Sequence, residues 1–208
     1  MIKKGIILAG GDGTRLGPLT KAVNKQLLPL YDKPLIYYPL SVLILAGIKN
    51  ILIITNKDEK SNFIKLLGDG SRLGIKITFL EQDRPKGLPD AFIVGEKFIG
   101  KDNVALILGD NFFYGLGFTN RLKKSLHKNK GATIFTYNVN NPSDYGILET
   151  DKKNKIKRIV EKPSRSKSNL AITGLYFFNH KVVNFAKNLK PSKRNELEII
   201  DLLKIYLK

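Results

Sequence analysis

Residues 5–25 read GIILAGGDGTRLGPLTKAVNK: an apolar strand that runs straight into a glycine-rich loop carrying Arg15 and, ten residues further on, Lys25. Gly10, Gly11 and Gly13 let the backbone approach an anion closely enough for its amides to face it, and the two cations can neutralise what those amides hold. The loop therefore reads as a cradle for a polyphosphate. It is neither of the two commoner glycine loops. The dinucleotide pattern G-x-G-x-x-G needs glycine where Leu16 stands, and the ATPase loop needs Gly-Lys-Ser/Thr at its end. A near-copy at 68–74, GDGSRLG, follows a helix-like stretch instead of a strand, so Gly68 reads as a helix stop and the rest as a turn.

Outward from this loop, apolar strand-like runs occur at 4–8, 50–54, 75–80, 104–108 and 132–137, separated by helix-like stretches at 34–46, 58–67, 89–98 and 117–128. Strands alternating with helices give a mainly parallel sheet covered on both faces, a three-layer, Rossmann-like α/β architecture. After residue 140 the rhythm changes: 147–149, 157–161 and 171–178 are strand-like with short connections, so the sheet becomes mixed before helices at 181–188 and 195–208. No linker or long repeat divides the chain, and residues 1–208 read as one domain. The last helix is apolar around most of its circumference, through Ile199, Ile200, Leu202, Leu203 and Ile205, which predicts a bare strip and a homo-oligomer that covers it.

Composition narrows the chemistry. Cysteine is absent and only His127 and His180 are present, both in polar surroundings, which argues against disulfides, a zinc site or a histidine-based triad. No apolar run reaches the roughly 18 residues that span a bilayer and no secretory signal is visible, so a cytoplasmic protein without a membrane partner is expected. The net charge of +18 suggests nucleic acid, but its distribution does not: residues 1–110 carry 16 Lys and Arg against 11 Asp and Glu, whereas 111–208 carry 20 against 7. The excess lies away from the glycine loop, at 121–130 and 152–158, without interleaved aromatics, and reads as solvated helix and hairpin turn; no nucleic-acid partner is expected. The positive field still favours capture of anionic substrates.

Two further clusters fall at strand ends, where ligands of open sheets sit. The strand 104–108 ends in Gly109-Asp110-Asn111, which offers a carboxylate to a hard divalent cation such as Mg²⁺. The strand 157–161 ends in Glu161-Lys162-Pro163, placing an acceptor for sugar hydroxyls beside a cation for a phosphate; a surface ion pair explains the same two residues equally well.

Together these segments resemble the sugar-1-phosphate nucleotidylyltransferase family along the whole chain, and within it the branch that transfers thymidylyl groups to glucose 1-phosphate. The matching stretches are 5–16, Lys25-Gln26 with the following LLPLYDKPLIYYPL, Gly109 to Asn111, Tyr145-Gly146, Glu161 to Pro163 and Thr173 to Tyr176. The resemblance implies the nucleotide-diphospho-sugar transferase fold, dTTP and glucose 1-phosphate as substrates, and Mg²⁺ as cofactor. It implies that Arg15 and Lys25 grip the triphosphate, that Lys162 holds the sugar phosphate, and that Asp110 ligates the metal. Leu8, Gly10, Gly11, Gly13 and Thr14 would shape the nucleotide pocket, with Gln26, Gln82, Pro85 and Gly87 around it and Gln82 and the Gly87 backbone facing the pyrimidine edge. Asn111, Tyr145, Gly146, Glu161, Ile172 and Tyr176 would line the sugar side. Tyr145, Ile172 and Tyr176 are equally readable as packing residues and Gly146 as a turn.

The chain departs from the family's pattern in two places. Residues 83–90, DRPKGLPD, are more charged than is usual there, where alanine and glutamine are common near positions 89 and 90; Pro89 suits a helix start, whereas Arg84 and Lys86 bear on the choice between dTTP and UTP. Family members also continue beyond the length seen here, with a second metal-binding aspartate and subunit-contact helices. Two other readings therefore stand beside the transferase: a module that binds a nucleotide sugar without turnover, and a uridylyltransferase acting on a sugar 1-phosphate.

Overall fold

The computed structural model describes residues 2–11 and 13–207, without the side chains of Arg15 and Lys128. The chain runs β1 (Lys4–Ala9), a hairpin of β2 (Pro29–Leu30) and β3 (Lys33–Pro34), α1 (Tyr37–Leu45), β4 (Asn50–Thr55), α2 (Lys60–Leu67), β5 (Lys76–Glu81), α3 (Asp90–Val94), α4 (Glu96–Ile99), β6 (Val104–Leu108) and α5 (Phe118–Lys128). It continues with β7 (Ala132–Asn138), β8 (Gly146–Thr150), β9 (Ile156–Glu161), β10 (Leu170–Phe178), α6 (Val182–Lys187) and α7 (Ile199–Tyr206).

The central sheet has eight strands in the order β5-β4-β1-β6-β10-β8-β9, with β7 also paired to β10. The first four pair in parallel. β10 then joins β6 antiparallel, β7 accompanies β10 along its length, and β8 and β9 complete an antiparallel edge. The apolar runs of β1, β4 and β6 are continuous because both faces of these strands are buried. Ile7, Ile53 and Ile107 point into one core with Leu40, Phe63 and Leu122 from α1, α2 and α5. Their neighbours Ile6, Leu52 and Leu106 point into the other, with Phe92 of α3, Val182 of α6 and Leu202 of α7. The period-two alternation of β10 splits its aromatic pair in the same way, Phe177 to the first core and Phe178 to the second, each wholly buried. Each such side chain contributes roughly 1.5–3 kcal/mol of burial free energy.

Several expected boundaries move for identifiable reasons. Pro34 is held in the hairpin, so the helix expected at 34–46 begins only at Tyr37. The helix expected at 89–98 breaks at Gly95 into α3 and α4. The helix expected at 195–208 loses its first turn: Asn195 has φ +60, and the Leu197 amide is drawn away to the Lys86 carbonyl, 2.8 Å off. The 68–74 turn lies before β5, at the rim opposite the carboxyl ends of the parallel strands. The basic stretch expected as a turn at 152–158 turns only as far as Lys155, where Asp151 Oδ1 accepts from the amides of Lys153 and Lys155, and Lys157 and Arg158 already belong to β9.

The expected bare strip on the last helix is absent. Ile199, Ile200, Leu202 and Leu203 are buried against the sheet, and Tyr206 packs on Phe178 and Phe185, leaving Leu207 as the large apolar residue exposed there. Two faces are covered within the chain itself, so this helix gives no argument for self-association. No helix among the described residues is long and apolar enough to cross a membrane.

Candidate active site

The carboxyl ends of β1, β4, β5 and β6 share one rim, which brings Gly10, Asn56, Gln82 and Asp110 to the same side of the sheet. Here β1 and β6 are locked together as they leave the sheet, the Gly109 amide donating to the Leu8 carbonyl at 2.9 Å. Asn24 fastens the returning loop: its Nδ2 donates to the Ala9 carbonyl at 3.2 Å and its Oδ1 accepts from the Gln26 amide at 2.9 Å. That fixes the short turn Lys25–Leu27 over the end of β6. Lys25 Nζ consequently meets Asp110 Oδ2 at 2.6 Å, both side chains half-buried, while Asn111 Nδ2 donates to Asp110 Oδ1 at 3.1 Å. Asn111 Oδ1 accepts from the Gly174 amide at 2.9 Å, which ties this carboxylate to β10.

Two clefts lie along this rim, the second of them lined by Asp110. The first, of about 300 Å³, is lined by Leu8, Gly10, Gly11, Gln82, Pro85 and Gly87 on one side. Its other wall is Glu161 with the strap 194–199. The second, of about 670 Å³, is lined by Asp110, Asn111, Tyr145, Ile172 and Tyr176, with the exposed aromatics Phe112, Tyr114 and Tyr137 at its mouth.

Gly87 holds the first cleft together. Its φ is +95, and an added Cβ would stand 2.0 Å from the Leu197 carbonyl oxygen, so only glycine lets the loop lie under the strap. Within the strap, Arg194 Nη2 reaches both Glu198 carboxylate oxygens at 2.9 Å and approaches Glu161 at 3.8 Å. Burial raises the Glu161 carboxyl above the usual carboxylate range and the Glu198 charge adds to this, while Lys162 and Arg194 pull it back.

The residues singled out from sequence divide accordingly. Leu8, Gly10, Gly11, Gln82, Pro85 and Gly87 come together in the first cleft, and Asp110, Asn111, Tyr145, Ile172 and Tyr176 in the second. Glu161, expected with Asn111 and Tyr145, lines the first cleft instead of the second. Gly146 lies off both linings, packed against Ile200. Tyr176 is 3% exposed and stacked on Phe178, and burial pushes its hydroxyl well above the usual tyrosine range. Gly13 turns in the left-handed region with its carbonyl accepting from Thr20 Oγ1 at 2.9 Å, next to the turn that begins at Thr14. Gln26 is buried, and its Oε1 has no partner among the described residues. Lys162 is exposed, with φ +39 and its amide held by the Tyr145 carbonyl at 3.0 Å; a left-handed lysine at a strand end is strain of the kind stored at functional sites. The Arg15 side chain lies outside the described residues. Arg194, Glu198 and Asp90 were not anticipated. The i,i+4 spacing of Arg194 and Glu198 was the available signal for that pair.

The Nucleotidyl transferase family profile matches residues 4–208. The chain belongs to this family. Among curated nucleotidyl transferases it is 57% identical over 204 residues to the glucose-1-phosphate thymidylyltransferase of Neisseria meningitidis serogroup A / serotype 4A, covering 98% of this chain and 71% of that protein. It is 53% identical over 205 residues to the protein of the same name from Xanthomonas campestris pv. campestris strain B100, covering 99% and 70%. Among solved nucleotidyl transferases, a UDP-glucose pyrophosphorylase complexed with UDP-glucose superposes with a TM-score of 0.85 at 30% identity, covering 99% of this chain and 87% of that one.

Proposed function

We propose that the protein transfers a thymidylyl group from dTTP to glucose 1-phosphate, giving dTDP-glucose and pyrophosphate. The observation that carries this reading is the Lys25–Asp110 contact at 2.6 Å: Asp110 lines the second cleft at the end of β6, the strand paired with β1, whose end floors the first. One substrate on each side of that contact brings the sugar-phosphate oxygen to the α-phosphorus of the nucleotide. The names of the relatives, 45–57% identical, supply the substrate class.

The reaction forms a bond from a glucose 1-phosphate oxygen to the α-phosphorus and breaks the bond from that phosphorus to the bridging oxygen of the departing pyrophosphate. The protein's task is alignment and charge neutralisation rather than acid–base chemistry. On this reading Arg15 and Lys25 hold the triphosphate and then the pyrophosphate, and Lys162 holds the sugar phosphate. Arg194 stands by as a further cation paired with Glu198 until an anion enters. The floor of the nucleotide cleft is Leu8, Gly10 and Gly11, and the base lies against Gln82, Pro85 and Gly87. Asn111, Tyr145 and Ile172 receive sugar hydroxyls or pack on the ring.

The donor set fits a hard divalent cation such as Mg²⁺: Asp110 offers a carboxylate at the rim, and Gln26 Oε1 is a buried oxygen in want of a partner beside Gly109. A single carboxylate suffices, because substrate phosphates complete the coordination of such ions. When bound, the cation supplies charge neutralisation at the phosphates.

Incubation of the purified protein with dTTP, glucose 1-phosphate and Mg²⁺ is expected to release pyrophosphate in step with dTDP-glucose. A folded protein that binds dTTP and releases none is a binding module, and this reading then fails.

A further inference from the structure

Gln82 and Asp90 form a buried pair, and the reaction as described gives Asp90 no part. Gln82 is 5% exposed and Asp90 6%, and Gln82 Nε2 donates to Asp90 Oδ2 at 2.7 Å. Both positions are pinned: the Gln82 amide donates to the Thr55 carbonyl at 2.8 Å as the chain leaves β5, and Asp90 begins α3 after Pro89. An amide side chain has two faces of similar shape and opposite hydrogen-bonding sense, and a carboxylate has no hydrogen to give. The group turned towards the Asp90 carboxylate is accordingly the amino group. The carbonyl oxygen is left for the other side. That side is the first cleft: a Cβ on Gly10 would stand 3.2 Å from Gln82 Oε1, and Gly10 and Gln82 both line the cleft wall. Among the described residues no protein donor meets Gln82 Oε1.

We infer that Asp90 is a specificity-determining positioning residue: it fixes the Gln82 amide with its acceptor facing the nucleotide and so selects a base that carries a ring N–H on its pairing edge. This deepens the proposed function and rests on the first cleft holding the nucleotide. Thymine and uracil present N3–H between two carbonyls, and N3–H donates to Gln82 Oε1. Cytosine presents an unprotonated N3, which places acceptor against acceptor. Sites built to pair with one sense of hydrogen bond reject the analogue of the other sense strongly, because the buried group is then left unmet. Asp90 itself touches no substrate. Its effect passes wholly through the orientation of Gln82, and an asparagine in its place, able to offer either face, removes the constraint.

The test compares kcat/KM for dTTP and dCTP, with glucose 1-phosphate and Mg²⁺ held saturating, in the unaltered protein, in Asp90→Asn and in Asp90→Ala. The unaltered protein is expected to prefer dTTP strongly. In both variants the dTTP:dCTP ratio is expected to fall by about tenfold or more, the scale of one correctly oriented base contact, while the KM for glucose 1-phosphate and the melting temperature of Asp90→Asn stay where they were. A ratio unchanged in both variants, or equal losses for the two nucleotides, overturns the inference. Absence of dTTP turnover in the unaltered protein is a separate result, and it refutes the proposed reaction instead.

Discussion

At the scale of single residues, the rim works through groups held in place before any substrate arrives. Lys25 and Asp110 satisfy each other at 2.6 Å, so neither charge waits unpaired, and an incoming triphosphate with its cation offers each a stronger partner. Replacing Lys25 by Met should therefore leave the fold intact, since the side chain is 28% exposed and anchored to no core. It should also lower kcat/KM for dTTP by a factor on the order of 10²–10³, the usual cost of removing a charge-stabilising group from a transition state. Steady-state pyrophosphate release checks this, and an unchanged rate would reject the role given to Lys25. These residues were legible in the sequence because their chemistry is local: a cation inside or just after a glycine loop, and a carboxylate directly following a buried strand. Asp90 was not. Its meaning depends on Gln82 turning one particular face towards it, and a separation of eight positions in the chain gives no sign of that.

At the scale of elements, the least local feature is the strap over the nucleotide loop. The Leu197 amide donates to the Lys86 carbonyl at 2.8 Å, which joins segments more than a hundred residues apart and costs the last helix its expected first turn. Apolar residues around the circumference of 195–208, Ile199 and Leu203 among them, pointed to a helix from 195 onward, and only the long-range hydrogen bond shows why it begins at Ile199. Gly87 makes the crossing possible. With a positive φ and a backbone oxygen where its Cβ would be, Gly87→Ala should cost about 3 kcal/mol, at the upper end for overpacking, because backbone moves less readily than a side chain. Chemical denaturation measures that loss, and the same variant should bind dTTP more weakly as the strap lifts from the loop. A variant with unaltered stability and affinity would show that the strap is not held through this glycine.

At the scale of the whole molecule, the alternation of strands and helices, the parallel core and the change to antiparallel pairing after residue 140 could all be read from apolar periodicity, because strands buried on both faces write continuous runs. What could not be read was how the second half closes on the first. β10 sits next to β6, and α7 folds beneath it so that Phe178 and Tyr206 touch, which turns a helix that looked bare into part of the core. That closure also brings Glu161 and the strap to the wall of the first cleft, so this cleft is built from both ends of the chain. The central claim is that one nucleoside polyphosphate lies along the rim, its base in the first cleft and its reacting phosphorus at Lys25 and Asp110. A crystal structure of the protein with dTTP tests this most directly. The account predicts thymine between Gly10, Gln82 and Gly87, with N3–H on Gln82 Oε1, and the phosphates running to Lys25, now parted from Asp110. Thymine lodged in the second cleft against Tyr114 and Tyr137, with Lys25 still bound to Asp110, would contradict it.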